Sequence, residues 1–188
     1  MRNEGPDTRE LEAALRSAAP ARGDRPAPVC GDIDIRIARD GTWFYHGSPI
    51  GRKRLVKLFS TVLRREADGQ FYLVTPVEKG RIQVDDAPFI AVELTRSGQG
   101  RGQKLRMRTN LDDEITVDDE HPIQVVHDAV TGEPSPYVRI RDNLDALIAR
   151  PVYYELAGIA EQGPDTPGDY GVWSQGAFFV IGRLPADA

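Results

Sequence analysis

A chain of 188 residues has room for one or two small domains, and 40% hydrophobic residues are enough for a folded core. The net charge of −5 excludes nucleic-acid binding over the whole surface, so nucleic acid is not an expected partner, although a local basic patch can still hold an anion. The lone cysteine, Cys30, excludes an intramolecular disulfide and a cysteine-based metal cluster.

Residues 1–29 lack the apolar core of a signal peptide, and the late apolar run Ala177 to Ile181 is far too short to span a bilayer. A cytoplasmic location and no membrane partner are the expectation. Asp7 can cap a short peripheral helix through Ala18, followed by a proline-rich linker over 19–28. Ile33, Ile35 and Ile37 alternate with Asp34, Arg36 and Ala38, as in a half-buried strand. Arg39-Asp40-Gly41 turns the chain back into Thr42 to Tyr45. Pro49 ends that run, and Leu55, Val56, Leu58, Phe59, Val62 and Leu63 fall at helical spacing. The other face of this helix carries Arg52, Lys53, Arg54, Lys57, Arg64 and Arg65 without an acid. Its first cations oppose the helix dipole, which a bound anion or an acidic neighbour would offset.

Phe71 to Thr75, Arg81 to Val84 and Phe89 to Leu94 read as strands. The glycines of RSGQGRGQ, residues 96–103, precede the alternating Leu105, Met107 and Thr109. A strand follows where a phosphate loop needs a helix, so the stretch reads as a hairpin loop. The acids around Ile115 to Val117 read as solvated loop ends. Ile123 to Val126 and Tyr137 to Ile140 read as strands. Asp142 or Asn143 then caps a short helix through Ala149, and Val152 to Ile159 and Ala177 to Ile181 are further strands.

Ser48-Pro49 and Ser135-Pro136 each precede an arginine, a predicted helix and an aromatic strand in the same order. The recurrence predicts a duplication, with the helices near 52–64 and 142–149 in equivalent places. The predicted divisions are an N-terminal helix and linker over 1–29, an α+β subdomain over 30–96 and a second over 97–188.

The motifs GSPIGRKRLVKLFSTVL, YLVTPVEKGRIQVDDAPF, YVRIRDNLDALIARPVYYEL and GVWSQGAFFVIG, in this order and spacing, resemble the uncharacterised bacterial domain-of-unknown-function family 1285 from Cys30 to Leu184. The resemblance implies an α+β fold of two structurally related halves, each a helix packed on a mainly antiparallel sheet, the C-terminal one pleckstrin-homology-like. It implies no established activity. It points to the seam between the halves as a ligand site, for a nucleotide-like molecule in a signalling context.

Chemistry has few footholds. The stretch around Ser174 is like a nucleophile elbow but has one residue too many before the serine and no helix after it. His46, His121 and His127 are scattered, so no metal and no cofactor are expected. The residues suited to holding an anionic, nucleotide-like ligand are Trp43, Tyr45, Arg52, Arg54, Arg139, Arg141, Tyr153 and Trp173. Arginines grip phosphate through a planar fork, and aromatic rings stack on a base. Glu78, Asp85 and Asp86 are the acids placed to pair with those arginines. The leading reading is therefore a non-enzymatic ligand-binding module. A protein-interaction module using the basic helix and sheet edges is second, and an enzyme third.

Overall fold

The computed structural model describes residues 29–76 and 78–184, the side chains of Val29 and Cys30 excepted. The helix expected over 7–18, the linker after it and the Cys30 thiol lie outside the described residues. The chain divides into two compact units between Asp86 and Ala87. Both are sheet-rich, and the described residues contain only two α-helices. The expected division at 96/97 falls instead at the end of a strand that belongs to the second unit. The glycine-rich stretch that follows is the hairpin connection from that strand into the next, as expected.

The first unit runs β1 (Val29–Ile37), β2 (Trp43–Tyr45), β3 (Ser48–Pro49), α1 (Lys53–Thr61), β4 (Leu63–Arg65), β5 (Phe71–Val74) and β6 (Lys79–Val84). Its sheet has the order β3-β2-β1-β6-β5-β4. The central pair β1/β6 is parallel, and the other pairs are antiparallel. Ile35, Ile37, Trp43, Leu63, Leu73 and Ile82 turn to one face and are buried with Leu55, Val56 and Phe59 of α1. Trp43 stacks on Phe59 at 6.3 Å between ring centroids, which ties β2 to the helix. The helix ends two residues before the expected Leu63. Arg64 Nη1 donates to the Thr61 and Leu63 carbonyls there, satisfying acceptors that a longer helix would have used.

The second unit runs β7 (Phe89–Ser97), a 3-10 turn (Gly100–Gly102), β8 (Lys104–Thr109), β9 (Glu114–Thr116), β10 (Ile123–His127), β11 (Pro134–Arg141), β12 (Leu144–Ile148), α2 (Arg150–Gly158), β13 (Glu161–Gln162), β14 (Asp169–Ser174) and β15 (Ala177–Arg183). The first six strands form a sheet of order β10-β11-β12-β7-β8-β9, and the last three form a separate antiparallel sheet. The pair β12/β7 is parallel. Read from β9, this is the strand order of the first unit read from β3, with first and last strands paired at the centre.

Three expectations need correction. The segment 144–148 is a strand and 150–158 a helix, the reverse of the sequence reading. Asp142 takes φ +46 and turns β11 into β12, a conformation aspartate tolerates, so it is a hairpin residue and not a cap. Leu144, Ala146 and Ile148 are buried alternately, and Pro151 sits in the first turn of α2, where its missing N–H costs nothing. The Ser-Pro repeat consequently does not mark equivalent places. Ser48-Pro49 is the third strand of its sheet, whereas Ser135-Pro136 lies in the fifth. Helix α1 leads to an edge strand of the six-stranded sheet, and α2 leads to the separate three-stranded one. Finally, the fold is mostly β, with a parallel pair in each large sheet and a helix that precedes the last three strands. A pleckstrin-homology-like second half is not established by this order.

Candidate functional site

The first unit contains a cavity of about 590 Å³ over the junction of β1 and β6. Its origin is a broken ladder. Pairing steps from Val29↔Lys79 to Asp32↔Arg81 and then to Arg36↔Gln83. The first shift contains Gly31 at φ +91, a backbone setting that favours glycine. At the second, Ile33, Asp34 and Ile35 of β1 face only Ile82 of β6. Surplus residues on one strand disrupt the ladder and bend the strand. Here they open a hollow over the backbone of Ile33, Ile35 and Ile82, lined also by Phe44, Gln70 and Gln83.

Two ion-pair clamps bridge the strands on either side of the gap. Arg81 Nε and Nη2 donate to Asp32 Oδ1 and Oδ2 at 2.7 and 2.8 Å. Arg36 grips Asp85 in the same forked way, with Nε to Oδ1 at 2.9 Å, and its guanidinium lies 5.6 Å from the Phe44 ring centroid. At the rim, Asp34 bonds His46 Nδ1 at 2.8 Å. The hydrogen bond from Arg81 holds the Asp32 carboxyl below the usual carboxylate range, and that from Arg36 does the same for Asp85. Both arginines are correspondingly pushed up. A carboxylate with a lowered folded-state value stabilises the fold above its ordinary value near about 4 and loses that contribution as pH falls through the lowered one. Asp32→Asn with Asp85→Asn should therefore flatten the acid limb. The drop in urea midpoint from pH 7 to pH 3 is expected to be smaller in the double variant than in the wild type. An unchanged drop would show that the clamps are fully screened.

The residues expected to hold an anion are divided between the two units. Trp43 is core, 2% exposed, and has no face for a ligand. Tyr45 is half-buried against the His46 ring at 4.2 Å. Arg52 and Arg54 are exposed at the start of α1, whose first turn holds no acid. Glu78 is exposed and closes the β5–β6 turn, its amide donating to Thr75 Oγ1 at 3.1 Å. Asp85 and Asp86 pair with Arg36 and Arg39 of their own unit, arginines outside the expected set. In the second unit, Arg139 Nε donates to Asp145 at 2.5 Å, and Arg141 lies 5.0 Å from the Phe89 centroid and 3.7 Å from Asp113. Tyr153 lies on α2, not on a strand, and its hydroxyl donates to the Ile181 carbonyl at 2.7 Å. Trp173 carries Arg101 over its ring at 4.8 Å, beside a small hollow of about 230 Å³ shared with Arg96, Gln103 and Glu161.

Ser174 is not placed as a nucleophile. It is fully buried, accepts from the Leu105 amide at 3.1 Å and donates to the Val117 carbonyl at 2.6 Å. Sequence reasoning missed Asp32, Asp34, Arg36, Phe44, Arg81 and Gln83. Their alternation with isoleucine is that of any solvated strand face, and nothing local announces that β1 pairs with β6.

Family models for the N-terminal and C-terminal domains of DUF1285, a domain and protein of unknown function, match residues 24–87 and 88–181. A crystal structure of a DUF1285 family protein from Silicibacter pomeroyi DSS-3 is 46% identical, with a TM-score of 0.81 over 93% of this chain and 95% of that one. The chain belongs to the DUF1285 family. A second DUF1285 family structure, from Shewanella baltica OS155, is 28% identical, with a TM-score of 0.53 over 67% of this chain and 91% of that one. None of the curated proteins matches. In DUF1285 terms, the broken ladder and its clamps belong to the N-terminal domain, and the buried Ser174 to the C-terminal one. Among the described residues, no helix is long and apolar enough to cross a membrane.

Proposed function

We propose that this DUF1285 protein is a non-enzymatic binding module whose N-terminal unit takes a small molecule into the cavity over the β1/β6 gap. The observation that carries this reading is the cavity itself. Its size is that of small-molecule sites, and its walls are set in advance by two forked ion pairs, with the Phe44 ring beside one of them. Both guanidinium forks are already filled by carboxylates. A phosphate would have to displace them, so this cavity favours an uncharged or zwitterionic ligand over the anionic, nucleotide-like one expected from the arginine pattern. The test is a thermal-shift panel of nucleotides, phosphometabolites and neutral or zwitterionic metabolites on wild type and Gln83→Trp. A ligand that binds only the folded state raises the melting temperature. Neutral or zwitterionic hits should be lost in Gln83→Trp, which fills the hollow from an exposed position. Hits retained in that variant would move the site elsewhere.

A second reading has its own observation. The exposed start of α1 carries Arg52, Lys53 and Arg54, with no acid in the first turn and no side-chain cap. An acidic protein segment set against the exposed Arg54 is the partner this reading calls for.

A further inference from the structure

We infer that the ladder gap recognises a small molecule carrying one extended amino-acyl unit with an apolar side chain, read through the backbone of Ile33 and Ile35. This rests on the cavity being the ligand site. Along a strand, the N–H and C=O groups of successive residues point to opposite edges. The Asp34 carbonyl accepts from the His46 amide at 3.1 Å, so Asp34 is turned away from β6. The Ile37 carbonyl accepts from the Asp85 amide at 3.0 Å, just beyond β6, so Ile37 is turned toward it. Ile33 and Ile35 therefore also face β6.

In a parallel ladder, a residue gives its N–H to the C=O before its opposite number and takes the N–H after it. The pairing Asp32↔Arg81 uses the Gly31 carbonyl and the Ile33 amide, and Arg36↔Gln83 uses the Ile35 carbonyl and the Ile37 amide. The register leaves over the Ile33 carbonyl and the Ile35 amide. Ile82, the β6 residue between these pairings, is turned to Phe71 of β5. An acceptor and a donor thus stand side by side on the cavity wall, where β6 is one pairing residue short. Polar backbone groups in such a place need partners. The group that supplies both at once is an N–H and a C=O flanking a single carbon, which is one residue's backbone. Phe44, on the outer face of the sheet with Arg36, lines the space where its side chain would rest, over the backbone of Ile33, Ile35 and Ile82. The charged wall groups are paired with one another, so they give no reason for the ligand to carry net charge.

The experiment is amide NMR on the full chain. Without ligand, the Ile35 amide should exchange with solvent faster than the Ile37 amide. Equal protection would mean that its N–H is paired within the sheet, and would overturn the inference. N-acetyl-leucine N-methylamide at millimolar concentration should shift Ile33, Ile35 and Gln83 and slow exchange at Ile35. The analogue methylated on the leucine nitrogen, which lacks the donor, should bind about tenfold more weakly. Equal binding of the two would overturn the backbone recognition and leave the cavity as a site. Shifts at the cavity with inorganic phosphate alone would overturn the ligand class and again leave the site. No shift at the cavity with either class would overturn the inference and the binding reading together.

Discussion

Ser174→Ala is expected to destabilise the second unit by about 2–4 kcal/mol, a large effect for the loss of one oxygen atom. The hydroxyl joins three parts of the unit at once. It sits at the end of β14, accepts from the amide of Leu105 on β8 and donates to the Val117 carbonyl just after β9. All three residues are fully buried, so water cannot replace the lost partner. Alanine leaves a donor and an acceptor without their hydrogen bonds, each costing about 1–3 kcal/mol when buried. The measurement is a urea denaturation midpoint, with Ser97→Ala as the control on an exposed strand end, where the change should stay within about 0.5 kcal/mol. A Ser174→Ala protein as stable as the control would show that the surrounding strands relax to re-pair those groups.

Trp43→Ala should cost the first unit about 3–5 kcal/mol, as loss of a large buried aromatic does elsewhere. The ring is packed on Phe59 and lies among the isoleucines of β1, so its removal leaves a cavity between sheet and helix. Trp43→Phe should cost only about 1–2 kcal/mol. It opens a smaller void, and it also removes the indole N–H, which is buried without a hydrogen-bond partner. A donor left in that state is itself destabilising, so its loss offsets part of the lost packing. Were Trp43 a ligand-stacking residue, both variants would instead melt near wild type and lose binding. That outcome in urea melts would contradict its place in the core.

Local pattern carried some of this fold well and misled elsewhere. Leu55, Val56 and Phe59 gave α1 its period, and Ile33, Ile35 and Ile37 gave β1 its alternation. In 142–158 two local signals conflict, and the strand alternation prevails over the cap. Asp142 and Asn143 are residues that cap helices, yet Leu144, Ala146 and Ile148 alternate as in a strand and Pro151 marks a helix start. The parallel pairings of β1 with β6 and β7 with β12 were beyond reach, because they join segments dozens of residues apart with no turn between them. The cavity was lost for the same reason. It is a property of the register between two strands, and the aspartates and arginines that wall it carry no local signature. For Trp43, by contrast, residue type alone points to a ligand, and the packing of Phe59 against it decides otherwise.

Each six-stranded sheet closes on its first strand with its last. During synthesis, the inner edge of β1 must wait, unpaired, until residues 79–84 have left the ribosome, and β7 must likewise wait for residues 144–148. Until then β1–β3 and β7–β9 stand as antiparallel meanders with open inner edges, and loop closure over the intervening chain sets the pace of completion. Truncated or stalled chains that end before either closing strand will present these edges to one another, so they should aggregate where the full chain does not.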